Sequence, residues 1–336
     1  MKKLLKKYIP PAVWDYLSGM RAAISGRRVF AYDRKRFLTT YAPLNINRNS
    51  RAQLDGRLTF SAHSIEKGLS HEDIRYGFGE RALRRLAAAM FAYVEQGFPL
   101  DGTAYINAQS VIKEYINVHK EAGKDTSLVD KIFDGEILTA ATESKSDIGG
   151  AMQIDSTDKR NNRNVNFEQL FINRWSVREY ADSPVDGSLV DKAISISTKS
   201  PSICNRQSGR VQVIDDPEMI ENTLAIQGGF TGYKLPPMLL MITTDNSSFL
   251  DIKERNQVYI DGGLFAMSLL LSLEYVSLAA CPLNAMLNVS RDKQMRELLN
   301  IPENENIIMF AAVGNFKESY KVPKSFRYKG DEITRS

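Results

Sequence analysis

The chain has 336 residues, 43% of them hydrophobic and 25% charged, with a formal net charge of +4. This composition excludes a fibrous or disordered protein, and the charge is mild for a protein dedicated to nucleic acid. The two cysteines, Cys204 and Cys281, form no CxxC pair and no metal-ligand pattern, so a disulfide framework is not indicated and a reducing compartment is favoured.

The start of the chain is basic, and its apolar stretch is too short and too broken by lysines for a signal peptide. The least polar run, Gly263 to Leu273, falls short of the roughly 20 apolar residues that a membrane-spanning helix needs. We predict a cytoplasmic protein in which this run is a buried core helix. Contact of the basic start with anionic lipid is an alternative.

The first half shows helical spacing in several places. Prolines 10 and 11 can begin a helix, and apolar side chains then fall on one face: Val13, Tyr16, Leu17 and Met20. Three further helices are predicted at residues 81–94, 109–122 and 128–141. We therefore assign residues 1–142 to a mainly helical N-terminal extension.

The most distinctive stretch of this extension runs from His63 to Leu69 and is followed by a second one at residues 75–79. His63, Glu66 and His71 suggest a metal site, but their spacing fits no recurrent ligand pattern. We predict instead a structural loop that packs on the helix beginning at Arg81.

Residues 143–165 are rich in Ser, Asp, Asn and Gly and are predicted to be a linker or long loop. Beyond them we predict helices at 167–174, 187–199, 252–278 and 292–299, and strands at 210–215, 238–243 and 307–313. Fully apolar strands combined with long apolar helices indicate an α+β domain over residues 166–331, in which helices cover a central mixed or antiparallel sheet.

The first candidate site is the segment Arg174-Trp175-Ser176-Val177-Arg178. Two guanidinium groups flank a hydroxyl, which suits a phosphate and the polyol attached to it, because arginine binds such oxygens bidentately. A solvated, salt-bridged turn is the alternative.

Three later segments add candidates. The loop with Pro201, Ser202, Asn205 and Gln207 offers amides that match the imide-like edge of a flavin or pyrimidine, although Ser, Pro and Asn also form ordinary turns. Cys281-Pro282-Leu283-Asn284 is interpreted as an apolar turn with free N–H groups, and Cys281 as a small core residue. Lys324 and Arg327 are either a second pair of anion ligands or solvated cations.

These segments, in this order and together with the stretch Tyr259–Gly263 that enters the long helix, resemble the nitroreductase family of FMN enzymes. The resemblance covers about half of the chain. The stretch from His63 resembles an extension found on nitroreductase-like proteins that are associated with bacterial surface-polysaccharide genes.

The resemblance implies roles for the candidate residues. Arg174 and Ser176 would hold the FMN phosphate and ribityl chain, beside Trp175, with Lys324 or Arg327 completing the phosphate site. Arg178 would lie near the pyrimidine end of the flavin, and Pro282, Leu283 and Asn284 would face its central ring. The remaining contacts would come from the partner subunit of a homodimer: Pro201, Ser202, Asn205 and Gln207.

Two departures from the family pattern concern the substrate. Ser208-Gly209 follows Gln207 where the family has an aromatic residue, and the connection between Met241 and the long helix is brief. The implied function is an oxidoreductase in which NADH or NADPH reduces FMN, and FMN reduces a small-molecule acceptor without a catalytic protein side chain or a metal. The alternative is a catalytically silent flavin-binding or scaffold protein in a surface-polysaccharide pathway.

Overall fold

The computed structural model describes residues 10–42, 50–159 and 161–335. The basic start, residues 1–9, for which lipid contact was an alternative, lies outside the described residues. The first half is mainly helical, with the elements α1 (Pro11–Thr40), α2 (Arg51–Leu69), α3 (Glu80–Glu95), α4 (Thr103–Glu121), α5 (Ser127–Ile132) and α6 (Gly135–Glu143).

The second half alternates strands and helices. Its elements are β1 (Ala151–Asp155), α7 (Phe167–Asn173), α8 (Gly187–Ser197), β2 (Gly209–Ile214), α9 (Pro217–Gln227), β3 (Met238–Asp245), α10 (Gln257–Tyr275), β4 (Leu278–Asn284), α11 (Val289–Leu299), β5 (Glu305–Asn315), β6 (Ser319–Pro323) and α12 (Gly330–Ile333). The fold is α+β with antiparallel sheets and a helical N-terminal half, as the sequence predicts.

Helices α2 to α6 enclose one hydrophobic core, in which the rings of Tyr93, Tyr105 and Tyr115 are almost fully buried. The sequence does not predict helix α2. The prediction of a structural loop from His63 is wrong, because His63 and Glu66 lie within this helix. Its interior face carries the polar Glu66 among apolar residues, which weakens the periodic pattern that marks a helix.

The single helix predicted at residues 128–141 is divided in two. Helix α5 ends at Ile132, and Asp134 then caps α6 by accepting the N–H of Glu136 at 2.9 Å. A carboxylate in this position satisfies backbone donors at the start of a helix, so the chain restarts its helix there.

A four-stranded antiparallel sheet with the order β2-β3-β5-β4 forms the centre of the second half. Side chains alternate between its faces: Leu239 and Met241 contribute to one core, and Leu240 and Ile242 to the other. Helices α9 and α11 supply residues to the first core, and α8 and α10 to the second. The inner strand β3 confirms the prediction of a central strand from the apolar run at 238–243.

Helix α10 corresponds to the predicted core helix, but only one side of it is covered. Leu269 and Leu273 are fully buried against the sheet, whereas Tyr259 and Ile260 remain more than half exposed. Gln257–Tyr275 is also the one helix of the described chain that is long and apolar enough to cross a membrane, by length and composition alone.

The segment predicted as a linker contains a strand. Residues Ala151–Asp155 form β1, which pairs antiparallel with β6 from Ala151 opposite Pro323 to Asp155 opposite Ser319. The partner strand is more than 160 residues away in sequence, so the local composition of residues 143–165 gives no sign of the pairing. The expectation of a structureless connection is therefore wrong for these five residues.

Helix α1 lies on the outside of the molecule. Its predicted apolar face is exposed, with 68% of Tyr16 accessible and Val13, Leu17 and Met20 each at 47%. The helix is attached farther along, where Asp33 forms a bidentate ion pair with Arg255 at 2.6 and 3.0 Å. This contact joins the N-terminal half to the short connection that precedes α10.

Candidate functional site

The segment Arg174–Arg178 runs beside the outer edge of the sheet. Helix α7 ends at Asn173, and the N–H of Val177 then donates to the carbonyl of Ala280 in β4 at 3.0 Å. Tyr180 reinforces this position because its hydroxyl donates to the carbonyl of Val177 at 2.8 Å. Two of the predicted site segments, Arg174–Arg178 and residues 281–284, are thus neighbours.

The predicted turn at residues 281–284 is part of strand β4, so its conformation was wrongly predicted. Ala280 and Asn284 both accept hydrogen bonds from outside the sheet, from Val177 and from Gln227 Nε2. Along an edge strand, every second residue directs its backbone N–H and C=O groups towards the neighbouring strand, and the residues between direct theirs outward. The backbone groups of residues 280, 282 and 284 therefore point away from β5. The N–H of Asn284 therefore faces outward, whereas the buried Leu283 pairs with Phe310.

Pro282 explains why this strand was difficult to recognise. Proline lacks the N–H that a sheet ladder needs, and it is tolerated on an edge strand where that position faces away from the neighbour. The outward position of Pro282 meets this condition. Cys281 is fully buried, and burial raises the pKa of its thiol, which agrees with the prediction of a core residue.

A first pair of cations lies at Arg174 and Arg327. Burial, followed by the charge of Arg327, lowers the pKa of Arg174, so the two guanidinium groups are within electrostatic range of each other. Glu274 is also in range, but this carboxylate already binds Lys159 Nζ at 2.6 Å and Asn162 Nδ2 at 2.9 Å. The pair therefore keeps an excess of positive charge.

A second pair lies at Arg178 and Lys67, which belongs to the last turn of α2. Arg178 is 8% exposed, and its buried Nε has no hydrogen-bond partner among the described residues. Tyr233 joins the pair: its hydroxyl donates to the carbonyl of Lys67 at 2.9 Å, and its ring centroid is 6.0 Å from Arg178 Cζ.

Ring contacts extend this second pair. His71 stacks on Tyr233 with 3.8 Å between the ring centroids. Burial lowers the pKa of His71, and the nearby charges of Arg75, Arg178 and Lys67 act in the same direction. A cavity of 270 Å³ opens beside these rings and is lined in part by His71, Tyr180 and Tyr233.

Lys324 and Arg327, the predicted C-terminal pair, have different partners in the structure. Lys324 donates its Nζ to the carbonyl of Asp147, and its backbone N–H to that of Gly150 at 2.9 Å. Arg327 is exposed, and its charge acts on Arg174. Of the two alternatives for completing an anion site with Arg174, the charge of Arg327 on Arg174 and the hydrogen bond of Lys324 to Asp147 favour Arg327.

The remaining predicted residues lie in a loop with unusual backbone angles. Cys204, Asn205 and Gln207 have φ of 49, 55 and 49°, a region that non-glycine residues adopt rarely. Such conformations often occur at binding sites. Pro201, Asn205 and Gln207 are exposed, and Ser202 accepts the N–H of Gln207 at 3.0 Å.

In the described chain, the hydrogen-bond partners of this loop belong to neither of the two cation pairs. Ile203 N–H donates to Asp261 Oδ2 at 3.1 Å, and Arg206 forms a bidentate ion pair with Glu254 at 2.9 and 3.0 Å. The loop borders a small cavity of 120 Å³ with Asp261 and Phe265. Within one chain, the structure therefore does not bring the loop to Arg174–Arg178.

The sequence interpretation missed the role of Lys67 and Tyr233 in this arrangement. The stretch from His63 to Leu69 is distinctive in the sequence, but nothing local marks its lysine as an anion ligand. His63 instead contacts Glu66 Oε2 and Ser325 Oγ, each at 3.3 Å. Across the residues that the structure describes, no group of three or more His, Cys, Asp or Glu side chains is arranged to hold a metal ion.

No protein-family model matches the chain. Among solved structures, it is similar to an FMN-dependent nitroreductase from Clostridium difficile R20291, with 24% identity and a TM-score of 0.40 over 49% of this chain and 92% of that one. It is also similar to a nitroreductase family protein from Clostridium difficile 630, with 22% identity and a TM-score of 0.42 over 51% of this chain and 98% of that one. About half of this chain thus has counterparts in nitroreductase-family structures that are matched over almost their whole length.

Proposed function

We propose that this protein is an FMN-dependent oxidoreductase of the nitroreductase type. NADH or NADPH would serve as the reductant, and a small molecule as the acceptor. The observation that carries the proposal is the position of Arg174–Arg178 beside the edge strand β4, fixed by the Val177 N–H on the Ala280 carbonyl. The charge of Arg327 acts on Arg174 there, and the charge of Arg178 acts on Lys67. FMN has two electron-rich regions, the phosphate and the pyrimidine edge of the flavin, and each pair suits one of them.

The residues present fit this cofactor. The buried Nε of Arg178 lacks a hydrogen-bond partner in the described chain, and an unsatisfied buried donor costs about 1 to 3 kcal/mol. A ligand that accepts from this nitrogen would remove that cost. The outward N–H of Asn284 offers a further donor on the same strand edge.

Arg174 and Arg327 would hold the phosphate, with Ser176 next to the ribityl chain. Arg178 would hold the pyrimidine edge, and Trp175, Pro282 and Asn284 would line the site. When bound, FMN supplies the hydride and electron chemistry, so no protein nucleophile is needed. The role of the protein is to bind the cofactor, orient it and stabilise the negative charge that it gains.

A homodimer is part of the proposal. Pro201, Ser202, Asn205 and Gln207 would reach the flavin of the partner subunit, since their own loop is directed elsewhere. Apolar side chains of α7 and α10 are strongly exposed, among them Phe167 at 71% and Ile260 at 52%. The two helices contact each other, and exposed apolar side chains on neighbouring elements are typical of an interface between proteins.

The decisive experiment is to purify the protein, reconstitute it with FMN and record its absorption spectrum. We expect a bound flavin that bleaches when NADH or NADPH is added without oxygen. A flavin that binds but never bleaches would support the silent binding protein instead. If no flavin is retained after reconstitution, the proposal is wrong.

A further inference from the structure

Lys67 is a cation held between the two halves of the protein. It lies in the last turn of α2, two residues before the helix ends, and its carbonyl is fixed by the hydroxyl of Tyr233 at 2.9 Å. Across the described chain, no carboxylate forms an ion pair with its ammonium group. The charge with the largest effect on it is that of Arg178, which has the same sign.

Close packing at Gly68 determines where Lys67 lies. A Cβ atom on Gly68 would come within 1.9 Å of the ring of Phe78, so only glycine lets α2 approach this ring. The backbone that follows the Lys67 side chain is therefore held at two points, by Tyr233 at the Lys67 carbonyl and by Phe78 at Gly68.

Two neighbouring cations without a carboxylate are unfavourable in a partly desolvated place. Burial and the charge of Arg178 both lower the pKa of Lys67. The unpartnered Nε of Arg178, in a side chain that is 8% exposed, is an independent sign that a ligand is expected here. An electron-rich group that binds between Lys67 and Arg178 would offset their repulsion and accept a hydrogen bond from the Arg178 Nε.

We infer that Lys67 is a flavin-binding residue: together with Arg178 it binds the pyrimidine edge of FMN, so that the N-terminal half completes the cofactor site. This inference rests on the proposed function. The phosphate is the less suitable partner, because Arg327 acts on Arg174, whereas Lys67 is in range of Arg178 and His71. A second cation at the pyrimidine edge stabilises the negative charge of reduced FMN and favours reduction.

The test uses the full chain loaded with FMN. Lys67→Gln removes the charge, Lys67→Arg keeps it, and Lys120→Gln removes an exposed lysine from the surface of α4 as a matched control. The measurements are the dissociation constant of oxidised FMN, by fluorescence titration, and the two-electron midpoint potential, by equilibration with a reference dye.

For Lys67→Gln we expect the affinity for reduced FMN to fall about tenfold more than the affinity for oxidised FMN, as the loss of one charge-assisted contact predicts. This corresponds to a midpoint potential about 30 mV lower. Lys67→Arg is expected to restore most of the difference, and Lys120→Gln to match the wild type.

An unchanged potential in a Lys67→Gln protein that retains FMN would overturn the inference and leave the proposed function intact. A wild-type protein that binds no FMN would overturn both. If the glutamine variant does not fold, as judged by circular dichroism, Lys67→Met keeps the aliphatic stem without the charge. The same criterion then applies to the methionine variant.

Discussion

The ring of Tyr180 occupies the space beside Gly314, where a Cβ atom would lie 2.5 Å from the ring. Its hydroxyl donates to the carbonyl of Val177 at 2.8 Å, and the same O–H is also within hydrogen-bond distance of the carbonyl of Ala312, at 3.1 Å. One buried side chain thus connects the arginine segment to the central strand β5.

This connection predicts the effect of Tyr180→Phe. Removing the hydroxyl leaves the carbonyl of Val177 without this donor, so we expect the free energy of unfolding to fall by about 1 to 3 kcal/mol. Urea denaturation measures the change. Tyr16→Phe, at a ring of α1 that is 68% exposed, is the control and should stay near the wild type. Equal stability of both variants would show that the hydroxyl contributes nothing.

Arg174→Ala tests the phosphate assignment. We expect the dissociation constant of FMN to rise about 10- to 100-fold, because a charge-assisted contact contributes about 1.5 to 3 kcal/mol. Fluorescence titration of the flavin measures this constant. Lys120→Ala, at an exposed lysine far along α4, should leave it unchanged. If both variants bind FMN like the wild type, Arg174 does not hold the phosphate.

Two glycines of α2 provide a matched comparison of packing. At Gly68 a Cβ would lie 1.9 Å from the ring of Phe78, whereas nothing lies within 4 Å of the corresponding position at Gly56. We expect Gly68→Ala to destabilise the fold by about 1 to 3 kcal/mol. Gly56→Ala should stabilise it by about 0.5 to 1 kcal/mol, because alanine favours a helix. Thermal and urea denaturation of the two variants would reveal the opposite signs, and a shared sign would contradict the packing argument.

The ion pair of Arg206 and Glu254 predicts a pH dependence. The hydrogen bonds from Arg206 lower the pKa of Glu254 from 4.5 to about 2. A carboxylate whose pKa is depressed by folding stabilises the protein fully above pH 4.5, and this contribution disappears as the pH falls towards 2.

Unfolding curves measured between pH 7 and pH 2 test this dependence. Glu254→Gln should lose stability at pH 7 and show a shallower decline at acid pH than the wild type. Glu303→Gln, at an exposed glutamate without an ion pair in the described chain, is the control. If the free energy of unfolding falls equally steeply at acid pH in all three proteins, Glu254 does not contribute to the pH dependence.

The exposed side of α10 predicts the oligomeric state. Ile260→Asp places a charge on a surface that the proposed dimer buries, so we expect the variant to sediment as a monomer where the wild type sediments as a dimer. Val289→Asp is the control, because this residue of α11 is 75% exposed and its helix covers the other face of the sheet. A wild-type monomer that retains FMN would contradict the dimer.

Elements with strong local signals were predicted well. The uninterrupted apolar run of β3 and the helix-forming composition of α3 are sufficient on their own. Strand β4 was missed because it begins three residues after α10 and contains Pro282, which in isolation is typical of a turn. Only the partner strand β5 shows that this proline occupies an outward edge position.

The candidate site shows the same limit. Arg174 and Arg178 are close in sequence, so the cofactor-binding role that we propose for both can be recognised from a motif. Lys67 joins them from more than 100 residues earlier, through the packing of Gly68 on Phe78 and the hydrogen bond from Tyr233. Such a contact depends on the tertiary packing between the two halves of the chain, so a local sequence pattern does not predict it.

The pairing of β1 with β6 has a consequence for dissecting the protein. A fragment that starts at residue 166 would keep β6 but lose the strand that covers it. Tyr320 and Val322 belong to β6 and are buried in the whole protein. In the fragment they would lie on a strand with an unpaired edge, which is a template for aggregation. Phe326, which follows β6, also packs into the core of the N-terminal helices. The two halves are therefore expected to unfold in a single cooperative transition, and neither should survive proteolytic separation as a soluble fragment.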